Sequence, residues 1–147
     1  MSRNRADYEE DFYAWTIEQA RLLRAGEFSA LDIENIAEEI ESMGRSDRRA
    51  IESRLTVLLA HLLKWQLQPE MRSTSWSGTI REQRRQIERL LRESPSLRPF
   101  VPEVLSEAYA EAREDAAEET GLSQSTFPET CPFTAEEALS REFLPEP

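Results

Sequence analysis

Apolar residues recur along this chain at the three-and-four spacing of amphipathic helices, and nowhere at the alternation of strands. From about Ala6 to Arg24, Tyr8, Phe12, Trp15, Leu22 and Leu23 share one helical face. Acidic residues stand at the start of that stretch and Arg21 and Arg24 at its end, where the helix dipole favours each sign. Gly26 is its natural stop. A second helix is predicted from Ser29 or Leu31 to Met43, with Ile33, Ile36, Ile40 and Met43 as its buried stripe and Gly44 as its end. A third begins near Ser46, a plausible N-cap, and runs to about Gln68, before Pro69. Its middle, Leu55 to Leu67, is apolar around most of its circumference, which predicts a central position. A fourth helix covers Trp76 to Glu93, broken by Ser94-Pro95, and a fifth covers Phe100 to Thr120, with Pro102 as a possible kink and Gly121 as its stop.

Beyond Gly121 the pattern changes. Phe127-Pro128 to Pro132-Phe133 reads as an extended tail packing back on the helices, and Thr134 to Glu137 as the capping box of a short last helix. The expected fold class is all-α: a compact bundle of about five helices with an extended C-terminal tail and a short last helix. Residues 1–147 read as one domain, with core helices over about 6–120 and the tail over 121–147. Composition agrees, since glycine is scarce and Leu, Ala, Glu, Arg and Gln dominate.

Charge adds a second layer. The net charge is −11, and from Glu103 onward twelve acidic residues face two basic ones. From Arg72 to Arg92, six arginines face two glutamates. The acidic total disfavours general nucleic-acid binding. Residues 1–10 are polar and carry no secretory pattern, and no apolar run is long enough for a bilayer, so no membrane association is expected. A single cysteine, Cys131, fits a cytoplasmic protein.

The combination of Tyr8–Trp15, Leu31–Gly44, His61-Leu-Leu-Lys64, Ser75-Trp76, Arg81–Ile87, Ser94–Leu97 and Phe127–Phe133 resembles the bacterial domain-of-unknown-function family 29. The resemblance spans nearly the whole chain. It implies a compact helical bacterial protein and supplies no activity.

Ionisable residues at semi-buried wheel positions are the candidate chemistry. Arg84 falls among Trp76, Ile80, Ile87 and Leu91, on the core side of its helix. A buried guanidinium needs a partner, and a carboxylate of Asp32 or Glu39, on the flank of the Ile33/Ile36 stripe, is expected to supply it. Arg54, His61, Lys64 and Gln68 form a narrow polar stripe on the third helix. Asp32, Glu39, Arg54, His61, Lys64 and Arg84 are therefore the candidate lining of a polar pocket. Arg81, Arg85, Arg89 and Arg92 project from the outer side of the fourth helix as a candidate partner surface.

No metal is expected, since neither a His-Glu-x-x-His run nor paired cysteines or Glu-x-x-His repeats occur. No cofactor is expected either, and no nucleophile or phosphate-loop motif points to a catalytic residue. The leading functional expectation is a non-catalytic interaction or regulatory module, acting on a protein partner or as a homodimer. An enzyme or small-ligand domain using the polar pocket is one alternative. A nucleic-acid-associated or antitoxin-like regulator using the arginine stripe is the other.

Overall fold

The computed structural model describes residues 7–147. The fold is all-α, with helices α1 (Phe12–Ala25), α2 (Ile33–Leu67), α3 (Thr74–Glu93), α4 (Phe100–Thr120) and α5 (Ala135–Leu139). The expected start of the first helix at Ala6 lies outside the described residues. Short 3₁₀ turns at Phe28–Ala30, Pro69–Met71, Pro95–Leu97 and Gln124–Thr126 fill the connections. No helix among the described residues is long and apolar enough to cross a membrane.

Local chemistry sets the ends. The acidic run before α1 lies outside the helix: the Asp7 carboxylate accepts from the Glu9 amide, and Asp11 caps α1 by accepting from the Ala14 amide at 3.0 Å. A short carboxylate satisfies an orphan N–H more effectively as a cap than as a first-turn residue, so α1 begins at Phe12. Gly26 and Gly121 close α1 and α4 with φ of 74° and 75°, the left-handed conformation that glycine adopts without strain. Ser73 caps α3 by accepting from the Trp76 amide, and the capping box of Thr134 and Glu137 opens α5.

Gly44 behaves otherwise. The predicted second and third helices are one helix, α2, which runs 35 residues without a break at Gly44. Gly44 has no positive φ, and none of its carbonyls or amides is taken into a turn. A glycine ends a helix only where the following chain rewards leaving it. Here three of the five residues from Arg45 to Arg49 are arginines, which favour helix, and continuation wins.

The chain forms two compact units, residues 1–45 and 46–147. In the first, Trp15 and Leu22 of α1 are buried, and Tyr8, Phe12 and Trp15 form an aromatic cluster. The expected buried stripe of α2 is instead open: Ile33, Ile40 and Met43 are 64%, 59% and 64% exposed, and only Ile36 is half-buried. With one companion helix of fourteen residues, this unit has too little surface to cover the stripe.

The second unit holds the main core. Ile51, Leu55, Leu58, Leu59, Leu62 and Leu63 of α2 are wholly buried, together with Ile80, Ile87 and Leu91 of α3 and Val101, Ala108, Tyr109 and Ala112 of α4. The tail packs back as the sequence predicts, burying Phe127 and Phe133. Each large side chain so buried contributes about 1.5–3 kcal/mol.

An extended tail carries carbonyls with no helical partner, and buried carbonyls require donors. Side chains of α3 and α4 supply them. Tyr109 Oη donates to the Pro128 carbonyl at 2.5 Å and Arg113 Nε to the Phe127 carbonyl at 3.1 Å. Arg84 Nε donates to the Ala138 carbonyl at 2.7 Å, and its Nη2 to the Phe143 carbonyl at 2.8 Å. The tail is thus held by cations and a phenol rather than by strand pairing.

Candidate functional site: an arginine-lined cleft

A cleft of about 340 Å³ opens in the second unit, lined by Ser77, Ile80, Arg81, Arg84, Arg85, Arg141 and Leu144. Its geometry follows from α3. Residues 77, 80, 81, 84 and 85 fall at helical spacing along one face, and α3 packs on α5, whose following residues bring Arg141 and Leu144 to the opposite side. Ile80 is buried and Leu144 half open, so the cleft pairs an apolar floor with cationic walls.

The four guanidinium groups differ in their commitments. Arg84 is 5% exposed and bonded through Nε and Nη2 to carbonyls. Its Nη1 has no acceptor among the described residues, yet it is not a sealed, orphaned atom. Burial lowers the Arg84 pKa to about 10, and no carboxylate acts in the other direction. The group stays charged at neutral pH. Arg85 is paired with Glu82 one turn away, and that bond holds the Glu82 carboxyl below its ordinary pKa. Arg81 and Arg141 pair with no carboxylate among the described residues. The Ser77 hydroxyl donates to the Thr74 carbonyl at 3.2 Å. None of the lining residues is acidic.

The carboxylate partner expected for Arg84 is therefore replaced by two backbone carbonyls. The premise that a buried guanidinium needs satisfied donors holds. The assumption that only a carboxylate could satisfy them overlooked the unpaired carbonyls of the tail. Asp32 and Glu39 are engaged within the first unit. Asp32 accepts from Trp15 Nε1 at 3.0 Å and from Asn35 Nδ2 at 2.8 Å, and its amide donates to Gln19 Oε1. Glu39 accepts from the Tyr8 hydroxyl, a bond that raises the tyrosine pKa to about 12.

The other members of the expected polar pocket each have their own contact. Arg54 Nη1 donates to Gln83 Oε1 at 3.3 Å. His61 Nδ1 lies 2.9 Å from the Val57 carbonyl, one turn back on its own helix; a carbonyl only accepts, so the imidazole carries its proton there. Burial pushes the His61 pKa down. Lys64, almost wholly buried, donates to Glu119 at 2.6 Å and sits 5.3 Å from the Trp76 ring centre. None of Arg54, His61 and Lys64 lines the cleft. No group of three or more histidine, cysteine or acidic residues placed to hold a metal occurs among the described residues.

Of the predicted outer arginine stripe, Arg81 and Arg85 line the cleft, whereas Arg89 and Arg92 are exposed farther along α3 and do not. The sequence reading separated Arg84, as core, from Arg81 and Arg85, as surface; the structure brings the three together at the edge of the core. The wheel carried that signal, because Arg81 and Arg85 lie to one side of Arg84, about 60° and 100° away around the helix. Arg141 and Leu144 were not anticipated. They belong to a tail without periodicity, and only an isolated arginine in an acidic stretch marked the place.

Comparison with known proteins gives one result. The model of the family described as Domain of unknown function DUF29 matches residues 8–144, so the chain belongs to that family. The searches of curated proteins and of solved structures gave no match.

Proposed function

We propose that this member of the family is a binding domain whose arginine-lined cleft receives a small anionic ligand: an oxyanion head, phosphate or carboxylate, on a short apolar body. The observation that carries this reading is the presence of four guanidinium groups around one cleft with no acidic residue in its lining. Planar guanidinium forks match the two-oxygen edge of carboxylate and phosphate. Burying the Arg84 charge without an anion is costly, and a ligand oxyanion at Nη1 offsets that cost. Ile80 and Leu144 suit an apolar body, and the volume lies in the range of small-molecule sites.

Binding, rather than catalysis, is the activity this lining supports, because its polar groups are donors with fixed positive charge. Arginine does not exchange protons near neutral pH. The concave shape favours a small ligand over a nucleic acid, in line with the net charge of −11.

Thermal unfolding of the full chain with octyl phosphate, octanoate, inorganic phosphate and octanol separates head from body. An oxyanion on an alkyl chain raises Tm more than inorganic phosphate, and octanol gives no rise. Replacing Arg81 and Arg141 together by alanine abolishes the rise without unfolding the domain. Equal shifts in wild type and in that double variant would overturn the proposal.

A further inference from the structure

Existing bonds within the cleft leave three of its guanidinium groups to a ligand, and the three approach from different sides. Arg85 is already neutralised by Glu82. Arg84, on the buried side, gives Nε and Nη2 to the Ala138 and Phe143 carbonyls, so its Nη1 is the nitrogen left without an acceptor. Arg81 on α3 and Arg141 beyond α5 stand on facing walls of the cleft, both exposed. No carboxylate among the described residues pairs with either.

Shape and charge both bear on the head group that fits them. A carboxylate is planar and presents one two-oxygen edge, which a single guanidinium fork fills. The cleft offers instead two free forks from facing walls and one further nitrogen from within. A tetrahedral head points three oxygens in three directions and meets such a set, whereas a planar head leaves one wall unused. The charge balance runs the same way. Four arginines, less the one cancelled by Glu82, leave three positive charges, and no acidic residue lines the cleft. A monoanion offsets one of these charges and a phosphate-monoester dianion two.

Resting on the reading of the cleft as an anion site, we propose that it selects the dianion of a small phosphate monoester over carboxylates and over singly charged sulfate esters. Arg81 and Arg141 grip the phosphoryl oxygens from opposite walls and Arg84 Nη1 from within, while Ile80 and Leu144 meet the carbon of the ester. Such a site carries a pH dependence that belongs to its ligand. The charged groups facing the head are Arg81, Arg84 and Arg85 on α3, with Glu82 beside Arg85, and Arg141 on the tail; α5 itself adds no charged side chain to the lining. Arg84 keeps its proton up to about pH 10, and the bond to Arg85 holds Glu82 ionised below the ordinary carboxylate range. Arginine does not exchange protons near neutral pH. The phosphate monoester does, with a second pKa of about 6.

Calorimetric titration of the full chain with octyl phosphate, octyl sulfate, octanoate and inorganic phosphate tests the selection. At about pH 8, octyl phosphate binds about tenfold more tightly than octyl sulfate or octanoate. Its affinity rises about fourfold between about pH 5.5 and 8, as monoanion gives way to dianion. The affinity of octyl sulfate, a permanent monoanion with the same tetrahedral head, stays constant over that range. Inorganic phosphate, which has the head without the body, binds more weakly than octyl phosphate. Arg141→Ala lowers the affinity for octyl phosphate about tenfold and narrows its lead over octanoate. Arg89→Ala, farther along α3 and outside the cleft, changes neither.

Octanoate or octyl sulfate binding as tightly as octyl phosphate, with no dependence on pH, would overturn the selection and leave the anion cleft standing. Inorganic phosphate as tight as octyl phosphate would overturn the monoester as the ligand. An Arg141→Ala variant that keeps the full lead of octyl phosphate would remove the grip from the facing wall and overturn the proposal equally. Absence of saturable binding by any of the four probes would sink the anion cleft itself, and the selection with it.

Discussion

One helix, α2, carries two apolar stripes that look alike in sequence and behave differently in the fold. At Ile33, Ile40 and Met43 the side chains are more than half exposed; at Ile51, Leu55, Leu58 and Leu59 they are wholly buried. Both are runs of large apolar side chains at helical spacing, the second broader around the helix than the first. The difference lies in what surrounds them. Residues 46–67 are enclosed by α3, α4 and the returning tail, whereas residues 33–45 have α1 and a single 3₁₀ turn in their unit. Of the buried hydrophobic side chains among the described residues, only Trp15 and Leu22 belong to the first unit. Periodicity therefore reports helix, and only the supply of neighbouring surface decides burial.

The largest test of that contrast is a pair of truncations. Leu59→Ala opens a cavity in a closed core and lowers stability by about 2–5 kcal/mol. Ile40→Ala removes exposed carbon and changes it by less than about 0.5 kcal/mol. Urea unfolding of the two variants measures both, and comparable losses would break the comparison.

Next in size is Arg84→Met, which leaves the Ala138 and Phe143 carbonyls without their donor. The expected loss is about 1–3 kcal/mol for each buried carbonyl orphaned. Hydrogen exchange should show it first in residues 138–144. A variant as stable as wild type would mean that the tail does not depend on this clamp.

Gly44→Ala acts in the opposite direction. A Cβ at Gly44 meets nothing within 4 Å, and the position is mid-helix. Alanine should raise stability by about 0.5–1 kcal/mol, read as a higher Tm. A drop would show that the helix breaks between the two regions, as the sequence reading expected.

The smallest effect is the titration of His61. Burial lowers its pKa from the ordinary 6.5, so the unfolded chain takes up the proton first. The sign follows: the contribution is fully present above pH 6.5 and is lost as pH falls through the lowered folded value. Unfolding of wild type and His61→Gln should differ by a constant amount above pH 6.5 and by a shrinking amount below it. Parallel curves down to pH 5 would remove His61 from the account.

Much of the fold was legible because it rests on local chemistry. Gly26, Gly121, Ser94-Pro95 and the Thr134–Glu137 box end or begin elements through their own dihedrals and hydrogen bonds, and each does so in the structure. Gly44 was misread because a helix terminator acts only when the following chain leaves the helix. Arg84 was rightly placed near the core, since its angle among Ile80, Ile87 and Leu91 fixes that. Its partners were not legible. They are carbonyls of a tail whose path depends on where Phe127 and Phe133 find room, and long-range packing of that kind leaves no periodic trace. For the same reason Arg141 and Leu144, the cleft's far wall, stayed hidden.

The central claim is that the guanidinium groups around Arg84 form one receptor for an oxyanion. Arginine side-chain NMR during titration with octyl phosphate tests it directly. The account predicts saturable shifts of the Arg84, Arg81 and Arg141 Nε resonances with a common dissociation constant, while Arg21, Arg24 and Arg45 stay in place. Shifts spread over the exposed arginines, unsaturated and absent at Arg84, would contradict it.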